Sequence, residues 1–430
     1  MKSNDNSFKR ECTLNIWRKK IGAFIIMVLL ISCIFFEGRV SIAASNMEEI
    51  KEPDNLYALS ACLMDADTGR ILFEKNGEEE RAMASTTKIM TLLVALEHGN
   101  LEDEVKISEN AARQPDVQLN ICTGEKYKLE DLLYSLMLES HNDAAVAIAE
   151  HVGGSVEGFA NLMNQKAKEL TLSHTHFVTP NGLDGEDDGG KHRTTAVELA
   201  RLLSYCITES AQKEKFLEIT QKSSHSFSDL EGKRQFTCNN HNAFLNMMEG
   251  ALTGKTGFTG EAGYCYVGAL RRDGKTFVVS LLGCGWPNNK GYKWKDTKKL
   301  MEYGIANYEK KSLEKLPQKG EVLKVVPVVD GEPKCYGEEA KVALVLEKPF
   351  LDGSMEGRNS LLLRKDEQLV VKTELPASLT APLEEHAVVG KVSYFINEEK
   401  LGESNVMAQN TVPKVTFHWY FFQLLKEFFL

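Results

Sequence analysis

Apolar and polar positions fall into blocks of distinct period along the chain. Residues 57–76, YALSACLMDADTGRILFEKN, hold two β-rich runs around the turn signal Asp65-Ala66-Asp67-Thr68-Gly69 and predict a hairpin. From Ser85 to His98 the residues Ile89, Met90, Leu92, Leu93 and Leu96 recur at helical spacing. A helix therefore starts at or just before Ser85, with Gly99 as its C′ residue. Further helices are predicted over 129–138, 143–152, 159–170 and 195–207. The period then shortens: YCYVGAL (264–270), a turn at Arg272-Asp273-Gly274-Lys275 and TFVVSLLGC (276–284) make a strand meander. A helix over 296–308 leads into a polar linker, 309–320. Beyond Gly320 short strands such as VLKVVPVV, KVALVLE, LVVKTEL and VGKVSYFI predict a small all-β module to about residue 410. Helices grouped between a leading hairpin and a trailing meander favour an α+β fold, an antiparallel sheet flanked by helices.

Length changes this picture little, because 430 residues suit two domains with end segments. The ends change it more. Lys2, Lys9, Arg10, Arg18, Lys19 and Lys20 precede the apolar run 21–36 and the small residues SIAAS (41–45), the order of a secretory signal peptide cleaved after Ala43 or Ala44. The run stops at Glu37, short of the roughly 20 residues that a spanning helix needs. LISC (30–33) also resembles a lipoprotein box on Cys33, but the apolar IFF after it argues against that reading. Removing 1–44 takes seven of 51 basic and three of 61 acidic residues, leaving 44 against 58, a net charge of −14. So acidic a chain carries no nucleic-acid footprint. Seven scattered cysteines remain, without a disulfide or zinc pattern, and are expected as buried free thiols. At the other end, VTFHWYFFQLLKEFFL (415–430) puts Thr416, Gln423 and Glu427 on one narrow stripe and aromatic or aliphatic residues over most of the rest. At about 24 Å such a helix is too short to cross a bilayer and suits the membrane interface.

The candidate chemistry begins with a lysine in an apolar setting. Ser85 and Lys88 lie three apart and so share a helix face. A serine hydroxyl is a weak nucleophile until a base removes its proton, and lysine serves as that base only when neutral. Burial and nearby cations lower its pKa, so the apolar surroundings that make Lys88 look misplaced are what a lysine base needs. Ser140-His141-Asn142 sits between two predicted helices, where side chains converge on a cleft. Lys255-Thr256-Gly257 opens the meander, within glycines that let a ligand backbone approach a strand edge. A phosphate loop is excluded, since three residues separate Gly250 from Gly254 and four are required.

Taken in order, ASTTK (84–88), SHNDA (140–144) and GKTGFTGEAGYC (254–265) resemble the Ser-x-x-Lys, Ser-x-Asn and Lys-Thr-Gly motifs of the penicillin-recognising serine enzymes. THFVTPNGL (175–183), HRTTAVELARL (192–202) and the C-terminal 382–408 narrow the resemblance to the D-alanyl-D-alanine carboxypeptidases, the low-molecular-mass penicillin-binding proteins. The resemblance implies a β-lactamase/transpeptidase-like fold with a helical subdomain. It divides the chain into a signal peptide (1–44), a D,D-carboxypeptidase domain (45–312), a β-rich domain (313–410) and an amphipathic membrane anchor (411–430). It implies Ser85 as acylated nucleophile, Lys88 as its base and Ser140 as a proton relay. Asn142 would hold the substrate amide, Lys255 and Thr256 the carboxylate, and an oxyanion would lie between the backbone N–H groups of Ser85 and Phe258, with Gly257 beside them. Substrates would be peptidoglycan stem peptides ending in D-Ala-D-Ala, with β-lactams as acylating inhibitors, at the outer face of the cytoplasmic membrane. No metal or cofactor is expected; His174-x-His176 lacks a third ligand nearby. Two departures stand out. His141 replaces a common glycine and is expected to narrow the cleft or titrate in it, and His241 stands where some relatives have arginine. A β-lactamase of the same superfamily would need a deacylating glutamate near 160–180, where Glu169 lacks its asparagine partner. A wall-binding protein without turnover is the third reading, kept open by the same two histidines.

Overall fold

The computed structural model describes residues 50–348 and 360–429. The predicted signal segment lies outside the described residues. Five strands form the central antiparallel sheet: β1 (Ser60–Asp65), β2 (Ile71–Lys75), β3 (Ala251–Thr259), β4 (Gly263–Arg272) and β5 (Lys275–Leu282). Their order is β2-β1-β5-β4-β3, which leaves β3 at an edge. Both faces of the sheet are covered, so its inner strands read as continuous apolar runs. In β1, Cys62 and Met64 join the helical core while Ala61 and Leu63 join a second core on the opposite face.

The helical core is built around α1 (Lys88–His98), buried from Lys88 to Leu96. Around it pack α2 (Leu129–Leu138), α3 (Asn142–Gly153), α4 (Val156–Glu169), α5 (Ala196–Thr208) and α6 (Lys213–Gln221). The other face carries α7 (Tyr292–Asn307), whose Leu300, Met301 and Tyr303 cover Leu63, Phe277 and Val279. The expected elements are present, with four differences. Ser85 lies in a separate 3-10 turn, Ala84–Thr87, and α1 begins at Lys88. Gly99 is extended at φ −95°, ψ 159°; a Cβ there would meet Leu129 Cδ2 at 2.7 Å, so close packing rather than a left-handed turn explains it. Helix α6 and the hairpin Ser224–Ser228/Gln235–Asn239 were not predicted. Helix α6 buries only Phe216, Ile219 and Thr220, too few to give a periodic signal.

The fourth difference is the linker. Tyr308–Ser312, expected as the last residue of a helix and the start of a polar connection, is a strand paired antiparallel with Ser360–Arg364. Beyond it, six strands make the expected β module, in the order Leu369–Glu374, Val388–Ile396, Glu399–Ala408, Lys341–Leu346, Val322–Val329, Leu379–Thr380. Its core is Val326, Val328, Val342, Leu344, Val392, Tyr394 and Val406. Arg70 fastens the central sheet to the segment that leads into the module: its guanidinium donates to Leu362 O at 2.5 Å and pairs with Glu367 at 2.7 Å. All seven cysteines of the described region are free thiols; Cys122 and Cys335 are exposed rather than buried as expected. The last element, α8 (Phe417–Phe429), leaves Phe417, Phe421, Phe422, Leu424 and Phe428 exposed. Among the described residues no helix is long and apolar enough to cross a membrane.

Candidate active site

The three sequence motifs come together at the β3 edge of the sheet, in a cleft of about 600 Å³ lined by Ser85, Ser140, Lys255, Thr256, Gly257 and Phe258 among others. The 3-10 turn presents half-buried Ser85, and the first turn of α1 places the Lys88 amine 2.9 Å from Ser85 Oγ. That amine also donates to Asn142 Oδ1 at 2.9 Å and to the carbonyl oxygen of Asn181 at 2.6 Å. The Asn142 amide is oriented by its own donation to the carbonyls of Pro115 and Asp116, so Oδ1 faces the lysine. A neutral amine has two N–H groups and one lone pair. Asn142 and Asn181 offer only acceptors and take both N–H groups, which leaves the lone pair for the Ser85 hydroxyl. Burial, then the charge of Lys255, push the Lys88 pKa well below that of an ordinary lysine, against a smaller opposing pull from Asp143.

Across the cleft, Lys255 on β3 donates to Ser140 Oγ and to its neighbour's carbonyl, Thr256 O, both at 2.9 Å. It is 3% exposed, and burial pushes its pKa down to about 7. Ser140 reaches it from a left-handed backbone conformation, φ +68°. The carboxylate of Asp143 fixes this corner by accepting from the N–H groups of Leu119 and Ile121 at 2.9 and 3.3 Å. Gly257 must be glycine: a Cβ there would meet the backbone nitrogens of Ser85 and Thr86 at 2.8 and 3.0 Å. That close approach brings the β3 backbone against the nucleophile turn, with the Phe258 ring 43% exposed beside it.

Six of the eight sequence-derived site residues line this cleft, and the other two, Lys88 and Asn142, are buried beneath it, with the Lys88 amine bonded to both Ser85 and Asn142. The expectation for His141 is corrected. It is buried, its Nδ1 lies 2.8 Å from Ser135 Oγ, and it is not among the cleft-lining residues. Its ring turns to Ser135 and away from the cleft lining, so it does not narrow the cleft, and burial lowers its pKa. His241 does line the cleft and pairs with Glu139 at 2.6 Å. Glu169, weighed as a deacylating residue, ends α4 in an ion pair with Lys166 and stands outside the cleft lining. Sequence reasoning missed Asn181, whose backbone carbonyl holds Lys88, and Lys293. Lys293 lines the cleft 4.7 Å from the Tyr264 ring centroid, with a pKa pushed down to about 8 chiefly by burial.

Comparison with known proteins agrees with this geometry. The family described as D-alanyl-D-alanine carboxypeptidase matches residues 47–284, and the C-terminal domain of penicillin-binding protein 5 matches 312–414. A D-alanyl-D-alanine carboxypeptidase of Bacillus subtilis is 30% identical over 371 residues, covering 84% of this chain and 87% of that one. One from Escherichia coli is 28% identical, covering 84% and 85%. The crystal structure of penicillin binding protein 5 from Haemophilus influenzae superposes with a TM-score of 0.64 at 26% identity, over 85% of this chain and all of that one. A variant of the Streptomyces K15 DD-transpeptidase gives 0.53 at 30% identity over 59% of this chain and all of that one.

Proposed function

The chain belongs to the D-alanyl-D-alanine carboxypeptidase family of serine peptidases, and from that premise we propose that Ser85 is the nucleophile that carries the acyl group. The protein is a serine hydrolase acting on peptides that end in D-Ala-D-Ala. The observation that carries the residue assignment is the pairing of Ser85 Oγ with a buried, charge-depleted Lys88 at 2.9 Å.

Lys88 takes the hydroxyl proton as Ser85 Oγ attacks the carbonyl carbon of the penultimate D-alanine. Charge on the carbonyl oxygen is met by the backbone N–H groups of Ser85 and Phe258. The tetrahedral intermediate collapses when the leaving D-alanine nitrogen receives a proton through Ser140, which Lys255 contacts. Thr256 and Lys255 receive the terminal carboxylate, Lys293 lines the same cleft, and Asn142 orients the peptide amide. Water then cleaves the ester and restores Ser85. A β-lactam acylates the same oxygen, and its ring-opened product cannot leave as D-alanine does.

The test is intact-protein mass after incubation with a penicillin, for the native protein and Ser85→Ala, together with D-alanine release from a D-Ala-D-Ala peptide. An adduct lost in Ser85→Ala, with release in the native protein, is the expected result. An adduct without release would move the reading to a penicillin-binding protein without turnover.

Residues 1–44 are read as an export signal, which puts the enzyme outside the cytoplasm. The domain limits are read as 45–312 and 313–410. Helix α8 is read as lying in the membrane interface, because seven of its large hydrophobic side chains, Tyr420 and Leu425 included, are exposed on thirteen residues. Co-sedimentation of the full chain with anionic vesicles, against a chain ending at residue 410, tests that placement.

A further inference from the structure

His192 lies behind the nucleophile turn, outside the cleft lining and only 3% exposed. Both ring nitrogens are engaged. The Val178 N–H donates to Nδ1 at 3.0 Å, with Thr179 N–H at 3.4 Å, so Nδ1 carries no proton and Nε2 does. Burial, then the nearby His176, keep the ring neutral, its pKa pushed down to about 3. Nε2 lies 2.7 Å from Thr87 Oγ1, and that hydroxyl must receive the Nε2 proton because its own hydrogen is given to Ala84 O at 2.8 Å. Only one arrangement of hydrogens satisfies all these groups: Val178 to His192, His192 to Thr87, Thr87 to Ala84.

The end of that chain is informative. Ala84 has φ +50°, a left-handed conformation costly for a residue with a Cβ, so its peptide must be held in place. Its carbonyl belongs to the same peptide unit as the Ser85 N–H, and in a trans peptide the two point opposite ways. Fixing the carbonyl on the His192 side therefore aims the N–H the other way. On the carbonyl side Gly182, at φ +84°, packs so closely that a Cβ would meet Ala84 O at 2.1 Å; on the N–H side a Cβ on Gly257 would meet Ser85 N at 2.8 Å. We propose that His192, acting through Thr87, is a positioning residue that orients the Ser85 N–H as an oxyanion donor and so contributes to acylation without touching substrate. This rests on the reading of Ser85 as nucleophile.

Stopped-flow acylation by a penicillin separates the noncovalent constant K from the acylation rate k2, and affinity for a peptide boronic acid reports the tetrahedral state. Thr87→Val removes the hydroxyl and keeps the volume. It is expected to lower k2 and boronic-acid affinity about tenfold or more, while K stays within about twofold. Thr87→Ser restores the hydroxyl and is expected to recover most of k2. His192→Phe keeps the ring and loses both nitrogens; its loss in k2 should match that of Thr87→Val, and the double variant should lose no more than either, because the two act in one chain. Should Thr87→Val fail to fold, Thr87→Ser and His192→Phe decide: k2 preserved in the first and lowered in the second supports the proposal, and equal losses overturn it. Unchanged k2 in a folded Thr87→Val, or additive losses in the double variant, also overturns it. A penicillin adduct persisting in Ser85→Ala would overturn the nucleophile assignment and this inference together; its loss there with k2 unchanged in Thr87→Val overturns this inference alone.

Discussion

The catalytic domain and the β module are built under different rules. Below residue 308 the protein buries Lys88, Lys255, Lys293, Asp143, Glu198, Asp296 and His192; among the described residues beyond it, Ser393 and Ser404 are the only polar side chains classed as buried. A buried lysine costs free energy, and the cheapest remedy is to release its proton. The catalytic domain accepts that cost at the cleft, where Lys88 and Lys255 are held as bases and donors by acceptors aimed from α3, β3 and the Asn181 loop. The module keeps its lysines at the surface and its centre apolar. Buried lysines therefore mark where chemistry happens, while buried carboxylates such as Glu198 and Asp296 hold backbone groups, and the described residues of the module include neither.

Removing the charged centre is the severest way to break this contrast. Lys88→Met keeps the length of the side chain and deletes the base. Penicillin acylation and D-alanine release should both fall by a factor on the order of 10²–10⁴, the usual worth of a general base. Circular dichroism should show the fold intact, and KM for the D-Ala-D-Ala peptide should change far less than kcat. A variant acylating within tenfold of the native rate would mean that another group takes the Ser85 proton.

A smaller effect, with two opposite signs, is expected at Lys255. Its folded pKa is about 7 and its unfolded value near 10.5, so between those limits the unfolded chain binds more protons. Stability must then rise with pH across that window, because burying the charged form is penalised below it and the penalty is relieved above. Activity should move the other way. The cationic form attracts the substrate carboxylate, so kcat/KM for a D-Ala-D-Ala peptide should fall as pH climbs through about 7. Chemical denaturation and steady-state kinetics from pH 6 to 9 measure the two slopes, and Lys255→Met should flatten the kinetic one and reduce the stability one, with Lys293 and Lys88 sustaining the remainder. Parallel slopes would refute the assignment.

How far the sequence revealed this arrangement follows from where each signal resides. Ser85 and Lys88 were legible because helical spacing fixes their neighbourhood, and the other two motifs because their residue types suit one chemistry. Asn181 was not, since its contribution is a backbone carbonyl, which leaves no trace in residue type. His141 was misplaced for a related reason: the left-handed turn at Ser140 sends that side chain to the cleft and its neighbour inward, and backbone handedness at a non-glycine residue is not written in composition. The strand at Tyr308–Ser312 was hidden by its surroundings. It has one partner, Ser360–Arg364, and the side chains of Glu309 to Ser312 are exposed, so no apolar alternation marks it.

The gentlest expected effect on catalysis lies at the far end of the chain, and it sharpens the contrast from the other side. Phe421 and Phe422 are each about half exposed on α8 and absent from the cleft lining. Each phenylalanine that enters a membrane interface contributes about 1.5–3 kcal/mol through apolar burial. Replacing both, Phe421→Glu with Phe422→Glu, should therefore lower partition into anionic vesicles by roughly a hundredfold or more, added charge repulsion included. Turnover of a soluble D-Ala-D-Ala peptide should stay within about twofold, because nothing in the charged centre is altered. Vesicle binding that survives the double change would assign membrane contact to another surface. Turnover that falls with it would show that the two regions are energetically coupled, and the division between a chemical domain and a placing one would fail.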